Sequence, residues 1–95
     1  MPAYVLAEIE ITNPDGYKEY TKAVPATIEQ HGGKFLHRGG EITVLEGEWP
    51  NRRRVIIEFA TVEAAKKWWD STEYAKPKEM RRASSKGRLL LLHGL

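Results

Sequence analysis

The sequence predicts an α+β fold in which a four-stranded antiparallel sheet carries two helices on one face. Segments with the two-residue period of a strand and segments with the longer period of a helix follow one another in the order βαββαβ. That order is the split βαβ arrangement of the ferredoxin-like fold. The 95 residues, 41% of them hydrophobic and 29% charged, suffice for one compact core, so residues 1–95 are expected to form a single domain.

The first strand and the first helix have clear boundaries. Residues 4–11 alternate, with one side of the strand formed by Val5, Ala7, Ile9 and Ile11. Asn13 is a candidate helix N-cap and Pro14 suits the first helical position. The helical period continues to the two glycines at 32 and 33, whose backbone freedom favours a helix end. Pro25 within this helix predicts a kink.

The middle of the chain predicts two further strands. Residues 34–38 and 41–46 are interpreted as the two halves of one strand or as a bent pair, with a bend or bulge at Gly39 and Gly40. Turn-forming residues occupy 47–51. Residues 54–60 then form a strand whose apolar side faces the helices, with Val55, Ile57 and Phe59 alternating along it.

The last third of the chain predicts a helical connection and a final strand. Thr61 is a candidate N-cap for a helix with Trp68 and Trp69 on its apolar stripe. Residues 71–73 indicate a restart, followed by a short turn around Tyr74 and a helix over 77–85, because proline is disfavoured deep within a helix. Residues 88–93 contain four successive leucines, which predicts a strand covered on both faces.

The side of the sheet away from the helices is predicted to be apolar. It would carry Tyr4, Leu6, Ile56 and leucines of the last strand, a surface too hydrophobic to remain in water. Two-fold symmetric homodimers are the commonest oligomers. A second copy of the chain is therefore the expected partner.

Composition excludes several classes of protein. The absence of cysteine excludes disulfide frameworks and thiolate metal sites, and neither a signal segment nor a membrane span is recognisable, which favours a cytoplasmic protein. Basic residues cluster at 52–54 and 76–88, but the net charge is only +2 and no nucleic-acid-binding motif accompanies them. Nucleic acid and membrane partners are therefore not expected.

Several short motifs, in order, resemble a known family. They are Tyr4-Val5-Leu6-Ala7-Glu8, Gly32-Gly33-Lys34-Phe35-Leu36, Arg38-Gly39-Gly40, Leu45-Glu46-Gly47-Glu48-Trp49, Ile57-Glu58-Phe59 and Ser71-Thr72-Glu73-Tyr74. Together they are similar to the domain of unknown function thirteen-thirty, DUF1330. The resemblance implies a dimeric α+β barrel, an architecture shared with small monooxygenases and with muconolactone isomerase-like and chlorite dismutase-like proteins. Trp69 and Thr72 depart from the family pattern, in which tyrosine and proline are usual.

Three charged residues are candidates for a site at the centre of the sheet. Glu8 and Glu58 are predicted to project away from the helices, and Arg38 is the expected partner because a guanidinium can bind a carboxylate with two hydrogen bonds. In the functional interpretation, Arg38 and Glu58 are catalytic, Glu58 as a general base, while Glu8 and Arg38 bind a ligand. The alternative is a structural ion pair at the dimer interface.

Aromatic side chains supply further candidates. Tyr17 and Trp69 are predicted ligand-binding residues, within an aromatic group that also contains Tyr20, Trp68 and Tyr74. Packing in the core is the alternative at such helical spacing. The three histidines lack the spacing of a metal site, so no metal or cofactor is expected; His31 is expected to end a helix and His37 to be a pocket candidate.

The resulting functional hypothesis is a protein that binds a small organic molecule in a cavity of a dimeric α+β barrel. A cofactor-independent monooxygenase-like or isomerase-like activity is one form of it. The alternative is a non-catalytic binding or stress-related module whose central charged residues form a structural ion pair.

Overall fold

A computed structural model describes residues 1–95 as seven elements. The strands are β1 (Ala3–Ile11), β2 (Lys34–Arg38), β3 (Arg53–Phe59) and β4 (Ser85–His93); the helices are α1 (Pro14–Gln30), α2 (Val62–Asp70) and α3 (Thr72–Ser84). The strands form one antiparallel sheet in the order β2-β3-β1-β4. The predicted ferredoxin-like fold is confirmed. It has three helices instead of two, because the segment between β3 and β4 forms two helices that are separated at Ser71.

Side-chain caps define the starts of all three helices. Asn13 Oδ1 accepts the Gly16 N–H at 3.2 Å, and Thr61 Oγ1 accepts the Ala64 N–H at 3.0 Å, as the sequence predicts. Ser71 Oγ accepts the Tyr74 N–H at 3.2 Å and begins α3. Each cap satisfies a backbone donor that has no partner within its helix.

None of the three helices combines the length and the apolar character needed to cross a membrane.

The predicted turn around Tyr74 is wrong. The α3 helix begins at Thr72 and continues through Pro77, so proline removes one helical hydrogen bond without ending the helix. The reason is tertiary packing. The Tyr74 side chain is fully buried, and its ring centroid lies 4.1 Å from that of Trp68. This burial favours a helical first turn over the local preference of the proline.

The predicted strand over 41–46 is also absent. Gly39, at φ 66°, directly follows β2, and residues 40–52 contain no regular secondary structure. Because β3 begins only at Arg53, a strand over 41–46 would have no hydrogen-bonding partner within the chain. Leu45 is accordingly 95% exposed. The bulge predicted at the glycines lies earlier, between Phe35 and His37.

The core lies between the inner face of the sheet and the helices. Alternate residues of β1 and β3 are buried there, as predicted: Ala3, Val5, Ala7, Ile9, Val55, Ile57 and Phe59. Ile11, predicted to join them, is 39% exposed because it lies at the end of β1. The other side of the sheet, called the open face below, carries Tyr4, Leu6, Ile56, Leu90 and Leu92. Leu90 and Leu92 are about half exposed, so a single chain does not cover both faces of β4.

Candidate functional site

Arg38 and Glu58 do not form the predicted pair, because they lie on opposite faces of the sheet. The bulge at Leu36 shifts the register, so that Arg38 pairs with Val55, whose side chain faces the helices. Arg38 Nη2 donates to the Thr21 carbonyl oxygen at 2.7 Å, and its guanidinium lies 4.5 Å from the centroid of the Phe35 ring. The predicted cavity between Glu8, Arg38 and Glu58 is therefore absent.

The two carboxylates point to the open face, as predicted, and have other partners there. Glu8 Oε1 forms an ion pair with Arg88 Nη2 at 3.0 Å, and Glu8 Oε2 accepts a hydrogen bond from Arg54 Nη2 at 3.4 Å. Glu58 lies 3.3 Å from Lys34 Nζ. These cross-strand pairs neutralise both carboxylates. They resemble the structural ion pairs of the alternative interpretation, with partners other than Arg38.

A different arginine is buried without a counter-ion. Arg81, in α3, is 5% exposed, and its Nε has no hydrogen-bond partner. No carboxylate lies within 4.0 Å of its guanidinium. A Cβ atom at Gly87 would lie 3.7 Å from Arg81 Nη1, which places the guanidinium over β4. A buried charge is costly unless it is paired, which makes Arg81 a candidate for binding an anion.

Arg53 provides a second cation on the same side of the sheet. It pairs with Ile9, a residue buried against the helices, and its Nε is buried without a hydrogen-bond partner. Its guanidinium packs against Gly39, where a Cβ atom would collide with it. Its Cζ atom lies 5.6 Å from the centroid of the Tyr17 ring. The Arg52 and Arg54 side chains form ion pairs with Glu10 and Glu8 instead. The three consecutive arginines are therefore divided between the two faces of the sheet.

Tyr17, a predicted ligand-binding residue, lies beside these arginines. Its side chain is buried, and burial raises the pKa of its phenol, while the Arg53 and Arg81 guanidiniums partly offset that effect. Tyr17, Arg53 and Arg81 all line a small inner cavity of about 30 Å³. That volume has room for ordered water but not for an organic molecule. A ligand reaching Tyr17 would therefore have to displace neighbouring side chains.

Trp69, the other predicted ligand-binding residue, lines a different cavity beside Arg81. Its ring centroid lies 6.0 Å from Arg81 Cζ and 4.1 Å from Lys78 Nζ. Desolvation lowers the pKa of Lys78. Both Trp69 and Arg81 line an open outer cleft of about 490 Å³. We call Tyr17, Arg53, Trp69 and Arg81 the Arg81 cluster. The structure thus places both predicted aromatic residues around an arginine that the sequence did not single out.

The remaining aromatic residues belong to the core. Tyr20 and Tyr74 are buried and joined by a hydrogen bond of 3.0 Å between their hydroxyl oxygens. Trp68 Nε1 donates to Thr27 Oγ1 at 3.0 Å. Their polar side-chain atoms thus have partners within the protein, whereas Arg81 Nε has none. Tyr17 also belongs to the buried core, so the core-packing alternative holds for four of the five aromatic residues, all except Trp69.

The histidines do not come together. His31 follows α1 as its C-cap, as predicted, with its Nδ1 3.0 Å from the Thr27 carbonyl oxygen. His37 pairs with Ile56 and has a buried Nε2 without a partner, on the opposite side of the sheet from the Arg81 cluster. No three histidine, aspartate or glutamate side chains converge. The structure therefore contains no group of residues suited to binding a metal ion.

Sequence reasoning could have found Arg81 from its position. The buried residues of α3 recur with a helical period, as Tyr74, Pro77, Arg81 and Ser84. Arg81 thus occupies a core-facing position of the stripe, which is unusual for a charged residue. The sequence indicated Arg53 less clearly. Its neighbours on both sides are also arginines, so nothing in this run distinguishes the one that faces the helices.

Comparison with known proteins identifies the fold and a family. Residues 2–95 match the family described as "Domain of unknown function (DUF1330)". A protein of unknown function from Rhodopseudomonas palustris is similar in structure, with a TM-score of 0.78, 20% identity, and coverage of 99% of this chain and 82% of that one. No curated protein matches the sequence.

Two further solved structures show how widely the fold is used. The cofactor-independent oxygenase SnoaB from Streptomyces nogalater has a TM-score of 0.69 at 14% identity, covering 99% of this chain and 93% of that one. The de novo designed protein Foldit4 has a TM-score of 0.61 at 8% identity, covering all of both chains. Because an oxygenase and a designed protein share it, the fold alone does not establish an activity.

Proposed function

Because the chain belongs to the DUF1330 family, whose description assigns no activity, we propose a function from the site itself: the protein binds a small organic molecule at the Arg81 cluster. The observation that carries this proposal is the buried Arg81 guanidinium, which has neither a carboxylate nor a hydrogen-bond partner at Nε. A bound anionic or carbonyl group would supply the missing partner.

The aromatic residues around Arg81 suit an organic ligand better than an inorganic ion. Tyr17 lies on the inner side of the guanidinium and Trp69 on the outer side. Aromatic rings offer a large apolar contact area, and Tyr17 adds a hydroxyl group. Since burial raises its pKa, the Tyr17 phenol is protonated at neutral pH and is able to donate a hydrogen bond or a proton.

A homodimer is part of the proposal. The open face exposes Leu90 and Leu92, and the half-buried Leu6 and Ile56 lie beside them in the sheet. A second copy placed on this face would cover the apolar residues and enclose the charged pairs of Glu8. The Arg81 cluster lies on the other side of the sheet, so that each copy would retain its own cluster.

Two activities are compatible with the cluster. A cofactor-independent oxygenase-like or isomerase-like reaction would use Tyr17 as the proton donor and Arg81 to stabilise a developing oxyanion. SnoaB has this fold and is described as a cofactor-independent oxygenase. The alternative is a binding protein without catalysis, which the small inner cavity favours because it leaves Tyr17 inaccessible to a large substrate.

A ligand screen tests the proposed function. Thermal shifts of the protein would be measured with a panel of small acids, phenols, ketones and alcohols, because a ligand that binds only the folded state raises the melting temperature. At least one compound class should stabilise the protein and should lose its effect in Arg81→Met. Arg52→Gln, which removes an arginine on the open face, should retain it. Absence of any ligand, or equal shifts in Arg81→Met, would contradict the proposal.

A further inference from the structure

Two concave surfaces meet beside Arg81. The outer cleft contains Arg81 and Lys86, and an open groove of about 180 Å³ runs beside it between α2 and β4. Trp69 and Leu89 line both surfaces. A single ligand could therefore occupy the cleft and the groove together, passing over these two side chains.

The outer cleft is cationic. Its charged lining residues are Arg81, Arg82 and Lys86. The one ion pair among them is a solvent-exposed contact of 3.6 Å between Arg82 and Glu79, which neutralises little of the charge. Arg81 lies at the buried end, where its attraction for an anion is least weakened by water. The charge distribution thus favours a ligand with one negative group at this end.

The groove has the opposite character. Every residue that lines it except Lys66 is hydrophobic: Val5, Ala65, Trp68, Trp69, Leu89, Leu90 and Leu91. Contact between this surface and an apolar body stabilises the complex by roughly 25 cal/mol for each Å² of apolar surface removed from water. It offers nothing to a small hydrated ion. A ligand complementary to both surfaces must therefore be amphiphilic.

Building on the proposed function, we infer that the ligand is a small amphiphilic carboxylic acid, with its carboxylate on Arg81 and its apolar body in the groove beside Trp69. The planar guanidinium can hold a carboxylate with two parallel hydrogen bonds. Trp69 and Leu89 contact the part of the ligand nearest its carboxylate. The length and branching of the apolar body are set by the groove between α2 and β4.

Calorimetric titration with three probes tests the ligand class. Octanoate is the amphiphilic acid, octan-1-ol is its uncharged counterpart, and inorganic phosphate is an anion without an apolar body. We expect octanoate to bind at least tenfold more tightly than octan-1-ol, and phosphate not to compete. Arg81→Met should weaken octanoate at least tenfold and leave octan-1-ol unchanged, while Arg52→Gln should affect neither.

A separate variant tests whether the groove contributes to ligand binding. Leu89→Ala should weaken both octanoate and octan-1-ol, because it removes contact area where the cleft and the groove meet. Leu92→Ala, on the open face of the same strand, should affect neither. Circular dichroism of both variants would show that they fold.

The outcomes separate this inference from the proposed function. Equal binding of octanoate and octan-1-ol would overturn the carboxylate assignment, and competition by phosphate would overturn the role of the groove; both results leave ligand binding at the cluster intact. Binding of only unrelated compounds in the screen would likewise overturn this inference alone. Absence of binding by every compound would overturn both.

Discussion

The hydroxyl oxygens of Tyr20 and Tyr74 lie 3.0 Å apart and join α1 to α3 in the core. Both side chains are buried, so neither hydroxyl has water as an alternative partner. Tyr74 also packs against Trp68, which ties the start of α3 to α2. The position of α3, and hence that of Arg81, depends on this contact.

Removing one hydroxyl of the pair should destabilise the protein. Tyr74→Phe leaves the Tyr20 hydroxyl buried without a partner, at a cost of about 1–3 kcal/mol in the free energy of unfolding. The double variant with Tyr20→Phe should recover part of this loss, because no polar group is then left unpaired. Urea denaturation of the two single variants and the double variant measures the coupling, and additive losses would contradict the account.

Stability should fall at high pH through Tyr20. Burial raises the pKa of its phenol well above the ordinary value, with a further contribution from Tyr74. The unfolded chain therefore loses this proton near pH 10, while the folded protein keeps it. The contribution of Tyr20 to the free energy of unfolding is thus complete below pH 10 and is lost progressively above it. One such group changes the free energy of unfolding by at most about 1.4 kcal/mol per pH unit.

The variant Tyr20→Phe isolates this contribution. Its free energy of unfolding should decline less steeply above pH 10 than that of the original protein, measured by urea denaturation at a series of pH values. The phenolate absorbance of the folded protein should also indicate that fewer tyrosines ionise than after unfolding. Identical slopes in the two proteins would contradict the role of Tyr20.

Replacing Arg81 with an apolar residue should not reduce stability. Arg81→Met fills a similar volume and removes a buried charge that has no counter-ion, so the free energy of unfolding should be unchanged or should increase by about 1 kcal/mol or more. Residues maintained for binding often carry such a cost. A loss above about 2 kcal/mol in urea denaturation would indicate that Arg81 stabilises the fold itself.

A charge placed on the open face should prevent self-association. Ile56 pairs with Leu6 at the centre of this face, and Ile56→Asp would bury an unpaired carboxylate in the proposed dimer, at a cost of roughly 3 kcal/mol or more. Sedimentation equilibrium should give about twice 10.9 kDa for the original protein and a shift toward monomer for the variant. Ala26→Asp, at an exposed position of α1, should remain dimeric. A monomeric original protein would contradict the barrel.

Regular patterns made most of the fold predictable. The alternation in β1 and β3 and the caps at Asn13 and Thr61 depend on neighbouring residues, and the structure agrees with them. The errors arose where distant parts of the chain decide the outcome. Residues 41–46 have the composition of a strand but no partner, because β3 begins only at Arg53. Tyr74 is helical because of its packing against Trp68.

The charged site was harder to predict for the same reason. A bulge at Leu36, which no glycine marks, reversed the side of the sheet on which Arg38 lies and separated it from Glu58. Tyr17 and Trp69 were singled out as aromatic residues, but nothing in their spacing showed that each lines a cavity together with Arg81. That arrangement depends on how α3 crosses β4, which is a tertiary property.

We propose that Arg81 has no carboxylate partner within the protein so that its guanidinium can bind a ligand. A crystal structure of the protein grown with octanoate tests this most directly, since it would show what contacts the guanidinium. We expect a carboxylate within hydrogen-bonding distance of Arg81, with the apolar chain beside Trp69. Arg81 paired with a carboxylate of a second copy, or octanoate bound elsewhere with this guanidinium unoccupied, would contradict it.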